Sequence, residues 1–266
     1  MALNVEDNLF SAKQIDNIAI VSFKKNLIRQ LTNLNLKEIL FDYLHEVSDD
    51  EGIKIVLILG SPEKIGGKEL IELYGELSGP TSHIYDIAKI YNAINQFILM
   101  IHGINKMVVH ADNGEVLSLF LNISLACDYR IIGDKTLFQY PTLELGLVPK
   151  GGGIFFLSKN IGSCKTMELL LSGKDITAQE ALEMGLVDKV VPSESLYEAA
   201  IQVARNFARK PMHFISDAKK LLNFPLDDLA GFLERENELL LESVRSEKFR
   251  NRLEQQLKIC AFCKIL

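Results

Sequence analysis

Hydrophobic positions fall first into short β-branched runs and then, past the middle of the chain, into helix-spaced stripes. Residues 18–23 (IAIVSF) predict a buried strand, and 53–59 (IKIVLIL) a second, closed by Gly60-Ser61-Pro62. Between them Leu36, Ile39, Leu40, Tyr43, Leu44 and Val47 recur at the spacing of one helix face, which predicts a helix over 34–47. A helix over 85–97 leads into the apolar segment 98–102. Residues 106–111 (KMVVHA) predict a third strand, ended by Asp112-Asn113-Gly114. Residues 116–126 are apolar and predict a buried helix, followed by a strand over 129–132. Strands alternating with helices imply a mostly parallel sheet covered by helices.

Past Gly151 the pattern is helical. Apolar residues at helix period mark 165–172, 178–184, 196–208, 213–222 and 226–257, with Pro225 separating the last two. The charges Glu234, Arg235, Glu236 and Glu238 in the last segment predict a solvated face. No internal repeat is visible.

Composition narrows the class. A chain of 266 residues, 48% hydrophobic and 24% charged, suits a globular α/β domain or a core with a helical appendage. The net charge of −6 gives no reason to expect nucleic-acid or anionic-membrane partners. Glu6 and Asp7 lie near the start, where a secretory signal would place basic residues before an apolar core. Apolar stretches such as 53–59 and 97–101 are too short to span a bilayer, so the expectation is a cytoplasmic protein with no membrane partner. Of four cysteines, Cys127 sits in an apolar run as a small hydrophobe would. Cys260-Ala-Phe-Cys263 has C-x-x-C spacing without a second ligand pair, so no metal site is expected.

The segment 105–192 carries a recognisable order of motifs. Asn113-Gly114 comes first, then Leu125-Ala126-Cys127-Asp128-Tyr129-Arg130, Phe138 and Pro141, Leu145-Gly146-Leu147-Val148-Pro149, and Gly152-Gly153. Met167–Gly173, Ile176, Ala181-Leu182, Gly185-Leu186-Val187 and Val190-Val191-Pro192 follow. In this order the chain resembles the enoyl-CoA hydratase/isomerase, or crotonase, superfamily. The resemblance implies an α/β fold, a crotonase-like spiral of ββα units over 1–192. It also implies a C-terminal helical region over 193–266 that mediates trimerisation, giving a homotrimer or hexamer. It implies binding of an acyl-CoA or acyl-carrier thioester as substrate or ligand, with no other cofactor, and stabilisation of its enolate by two backbone N–H donors.

Carried over residue by residue, the first donor is the amide of Lys68, after the Gly66-Gly67 pair that permits close backbone approach. The alternative is an ordinary Gly-rich turn opening a helix. The second donor falls on Leu119, where Ser118-Leu119-Phe120 stands in place of a glycine triplet and crowds the thioester's space. The two hydratase glutamates match Asn122 and Thr142, neither of which titrates usefully near neutral pH, so ordinary hydration is not expected. Candidate substitutes are Glu144, on the same face as Thr142 if that segment is extended, and Lys150, where some isomerase relatives carry an acid. Glu115 and His110 are further candidates, each also readable as a surface charge or core-edge histidine. Lys24, Lys25, Lys219 and Lys220 match places that contact CoA in relatives, or are simply solvated. Two function classes follow: a divergent isomerase, lyase or decarboxylase, and a catalytically inactive crotonase-fold protein serving as a CoA-binding or assembly partner.

Overall fold

Alternation of buried residues on both faces of the β-branched runs determines the architecture of this computed structural model, which describes residues 4–24, 30, 34–60, 66–77, 84–223 and 228–262. Strands β1 (Val5–Glu6), β2 (Phe10–Ile15), β3 (Ile18–Phe23), β4 (Ile55–Leu59), β5 (Met107–Asp112), β7 (Tyr129–Gly133) and β10 (Lys189–Val191) form one sheet in the order β1-β2-β3-β4-β5-β7-β10. The first two pairings are antiparallel and the other four parallel, so the expected mostly parallel sheet is found, with an antiparallel edge. A small second sheet pairs β6 (Glu115–Leu117) with β8 (Leu137–Gln139), and β8 with β9 (Ile176–Thr177).

Successive strand residues point to opposite faces. Ile18, Ile20, Ile55, Leu57, Val109 and Ile131 pack with Leu196, Ala200 and Ala204 of a helix over Leu196–Ala208. Ala19, Val21, Val56, Ile58 and Val108 face the larger core. That core contains α1 (Leu34–Asp49), α2 (Gly67–Leu77), α3 (Ile84–Gly103) and α4 (Ser118–Ser124). The chain continues through α5 (Thr142–Leu145), α6 (Gly153–Ile161), α7 (Ser163–Ser172), α8 (Ala178–Glu183), α9 (Leu196–Ala208) and α10 (Met212–Asn223). It ends in α11 (Leu229–Arg245), which packs along α3, and α12 (Glu247–Phe262).

The strands over 18–23, 53–59, 106–111 and 129–132 lie where the sequence places them, within two residues at either end. Three other expectations change. The 85–97 helix runs on without a break through the apolar segment to Gly103. The segment 116–126 is not one helix: β6 is extended and pairs with β8, and Leu117 keeps extended backbone (φ −63°, ψ 138°) before α4 begins. Segment 226–257 is two helices, because Ser246 is extended (φ −72°, ψ 149°) and its Oγ accepts from the Phe249 N–H at 3.1 Å, starting a new helix. Cys127 is buried, and Cys263 lies outside the described residues.

Helix α8 opens with a capping box. Thr177 Oγ1 accepts from Glu180 N–H, while the Glu180 carboxylate accepts from Thr177 N–H at 2.8 Å. Thr177→Ala should lower the unfolding free energy by about 1 kcal/mol in urea denaturation, since the helix then loses its N-terminal acceptor. A change below about 0.3 kcal/mol would show that water replaces the cap at no cost.

Candidate functional site

The turn between α5 and α6 organises the site. Gly151 (φ +92°) and Gly152 (φ +69°) occupy backbone conformations that L side chains rarely adopt. Their N–H groups therefore point together, and both donate to the carboxylate of Glu236 on α11, at 3.1 Å and 3.0 Å. The same carboxylate receives the Lys150 ammonium at 2.7 Å, and Lys150 Nζ also donates to Asn95 Oδ1 on α3. Lys150 and Glu236 are 7% and 5% exposed. Burial lowers the Lys150 pKa and raises that of Glu236, while their mutual attraction opposes both shifts. Glu236, expected on a solvated face, is thus buried. Its neighbours Leu233, Asn237, Leu240 and Val244 lie on the same inward stripe.

Lys150 opens on a cavity of about 40 Å³ that also touches Tyr74, Tyr91, Ser118, Leu119 and Thr142. The Tyr74 and Tyr91 hydroxyls lie 2.6 Å apart, and Lys150 Nζ sits 5.8 Å above the Tyr91 ring. Burial pushes the Tyr74 hydroxyl to about 12 and Tyr91 well above its ordinary value, so both stay protonated at neutral pH. Tyr74, Tyr91 and Asn95 carry no signal of their own in the sequence, and Glu236 reads there only as a solvated charge. The helical spacing of Leu233, Glu236, Asn237 and Leu240 is the signal that could have placed Glu236 on the inward stripe.

The predicted positions divide. Leu119, Thr142 and Lys150 meet at this cavity. Gly66 and Gly67 pack against the segment leading into Thr142: Gly67 N–H donates to Gln139 Oε1 at 2.7 Å, and a Cβ on Gly66 would lie 2.3 Å from that oxygen. Lys68 follows in the first turn of α2 with an exposed side chain and does not line the cavity. Asn122 is 1% exposed but turned away from the cavity. Its Nδ2 donates to Lys150 O at 2.9 Å, it fills the space above Gly153, and its Oδ1 has no hydrogen-bond partner among the described residues. Glu144 is exposed, and the extended segment expected to align it with Thr142 is instead the helical turn α5, where residues two apart diverge. Glu115 lies in β6, not at a helix start, and lines neither this cavity nor the one described next.

A second cavity of about 40 Å³ shares Ile94 and Leu119 with the first and is also lined by Phe120, Phe23, Phe97, His110 and Asp112.

The lysines expected near CoA are engaged elsewhere or apart. Lys24 pairs with Glu6. Lys25 lies outside the described residues. Lys219 is buried, with its ammonium on Asp128 Oδ2 (2.8 Å) and Lys106 O (3.1 Å), which ties α10 to the sheet. Lys220 is exposed and pairs with Asp217 at 3.3 Å. Among the described residues no cluster of three His, Cys, Asp or Glu side chains is placed to hold a metal ion, and no helix is long and apolar enough to cross a membrane.

Comparison with known proteins adds to this geometry. The enoyl-CoA hydratase/isomerase family model matches residues 15–256. The chain is 27% identical over 240 residues to a trans-2-decenoyl-(acyl-carrier-protein) isomerase of Streptococcus mutans, covering 89% of each. It is 33% identical over 188 residues to a fatty acid oxidation complex subunit alpha of Shewanella loihica, with 68% of this chain matched to 26% of that longer protein. A crystal structure of an enoyl-CoA hydratase from Bacillus halodurans superposes with a TM-score of 0.77 over 93% of this chain and 99% of that one, at 22% identity. With the Gly-turn, the parallel sheet and the match to 242 of its residues all in place, the chain belongs to the enoyl-CoA hydratase/isomerase family.

Proposed function

We propose that this protein binds an acyl-CoA or acyl-carrier thioester, stabilises its enolate with the backbone amides of Lys68 and Leu119, and moves the proton with Lys150 in place of a glutamate pair. The supporting observation is the Lys150 ammonium, buried against Glu236 and open to the cavity that Leu119 and Thr142 line. Burial lowers its pKa, and the attraction of Glu236 opposes that shift. A single proton carrier suits isomerisation, in which a proton leaves one carbon and returns to another. The similarity to an isomerase over nearly the full chain points the same way. Asn122 and Thr142, at the glutamate positions, serve packing and cavity lining, not hydration. Exposed Phe214, Leu221 and Leu222 on α10 support helix-mediated self-association into a trimer or hexamer. We place the protein in the cytoplasm.

The test is deuterium exchange at the α-carbon of an acyl-CoA, followed by NMR. The wild type should catalyse exchange, and Lys150→Gln, assayed where it remains folded, should lower the rate by about 10²–10⁴-fold. Exchange that survives the substitution would remove Lys150 from the reaction.

A second reading is favoured by the small size of both cavities. On this reading the protein is an inactive binding or assembly partner. Thioester binding without any α-proton exchange is the result that would select it.

A further inference from the structure

Strand β5 sends His110 and Asp112 to the same side of the sheet, two residues apart. Each is 6% exposed, and both line the second cavity, whose other walls include Phe23, Phe97 and Phe120. Gly60, at the end of β4, leaves room for the carboxyl group: a Cβ there would lie 1.7 Å from Asp112 Oδ1. His110 Nε2 and Asp112 Oδ2 are 3.7 Å apart, too far for a direct hydrogen bond. Among the described residues neither side chain has a full hydrogen bond, so both present polar atoms to a largely apolar cavity, an arrangement that is costly unless something else satisfies it.

The gap has the size of one oxygen atom set beside the pair. A hydroxyl can sit about 2.8 Å from both atoms, donating to one and accepting from the other. A carbonyl accepts only, and an ether or thioether has no proton to give. The facing charges favour a neutral ligand. Burial, followed by the Arg130 charge, lowers His110 to about 4, and burial raises Asp112 to about 7. Lys37 lies at the cavity wall, with its ammonium 5.9 Å from the Phe41 ring centre and bonded to Gln96 Oε1. A volume of about 40 Å³ limits the aliphatic part to a short one.

We propose that this cavity is a binding site for a short hydroxyl-bearing aliphatic group whose oxygen bridges His110 Nε2 and Asp112 Oδ2. The group is either a free small alcohol or the hydroxylated end of a longer chain that passes Leu119, which lines both cavities.

The experiment uses the full chain labelled with ¹⁵N-histidine, with the His110 ring signals assigned through His110→Phe. Titration with 1-butanol should move those signals saturably, and 1-chlorobutane, which matches the shape without the hydroxyl, should not. In Asp112→Leu the butanol response should weaken by about tenfold or more, the equivalent of one lost hydrogen bond. If that variant does not fold, the comparison of butanol with chlorobutane on the wild type decides. No butanol response, or an equal response to both probes, overturns the proposal. A calorimetric arm compares 4-hydroxybutyryl-CoA with butyryl-CoA. An advantage of about tenfold for the hydroxylated thioester assigns the site to a chain end. Equal affinities alongside a butanol response assign it to a free alcohol. If neither thioester binds, the thioester reading fails by itself, and the butanol titration still decides this one.

Discussion

Replacing Lys150 with methionine should lower the unfolding free energy by about 3–5 kcal/mol, because it strands the buried Glu236 carboxylate without its counter-charge. The pair sits at 2.7 Å with both side chains buried, so water cannot take the place of the lost ammonium at little cost. Urea denaturation measures the loss. The double change Lys150→Met/Glu236→Gln should cost clearly less than the sum of the two single changes, since the amide oxygen can still accept from one of the two glycine N–H groups while no charge remains buried. The pH dependence has a definite sign. The stranded Glu236 has its folded pKa raised above its unfolded value, so its contribution is retained in acid and lost as the pH rises through the folded pKa. The deficit of the single variant should therefore be largest at and above neutrality and shrink toward pH 4, about the unfolded value of a glutamate. A loss under about 1 kcal/mol at pH 7 would mean that the pair is solvated and contributes as little as a surface ion pair.

Crotonyl-CoA hydration should be about 10²–10⁴-fold slower than with a hydratase of the same family assayed in parallel, the usual contribution of positioned acid–base groups. Asn122 is the reason that carries most weight. Its amide nitrogen is committed to Lys150 O, and its side chain does not reach the cavity that Thr142 lines. Restoring a carboxylate at that position is not a local change. A Cβ on Gly153 would come within 2.5 Å of Asn122 Nδ2, so the space there is already filled and the longer Asn122→Glu side chain requires its surroundings to shift. A rate within about tenfold of the reference hydratase would defeat this reading and require another residue to supply the acid–base function.

Much of the fold was legible because buried parallel strands are written as continuous β-branched runs. The strands over 18–23, 55–59, 107–112 and 129–133 follow such runs, and the helix over 196–208 follows its apolar stripe. The passage from β6 to α4 was not legible, since both are buried and the apolar run 116–126 carries no polar punctuation between them. Thr142 and Glu144 misled for a related reason: four residues show no period, and the αL Gly146 that ends α5 could as well end a loop. At the site, Lys150 was identifiable through the motif around it, but its partner was not. Glu236 lies within a run of charges, and its burial depends on α11 packing against α3, a contact that composition does not reveal. His110 and Asp112 were each visible as single residues. Their pairing follows only from the strand that points them the same way.

The link between Lys150 and Glu236 spans 86 positions, and Asn95 Nδ2 reaches Leu233 O across 138. A chain made from its N-terminus therefore completes the sheet and the glycine turn well before the helix that neutralises Lys150 exists. Throughout that interval the ammonium and the Gly151 and Gly152 amides must remain hydrated, so the cavity beside them cannot close early. A ribosome-bound nascent chain halted before Leu229 should carry the paired strands but leave Lys150 open to amine-reactive labelling. That reactivity should disappear only after α11 has been synthesised and has docked against α3.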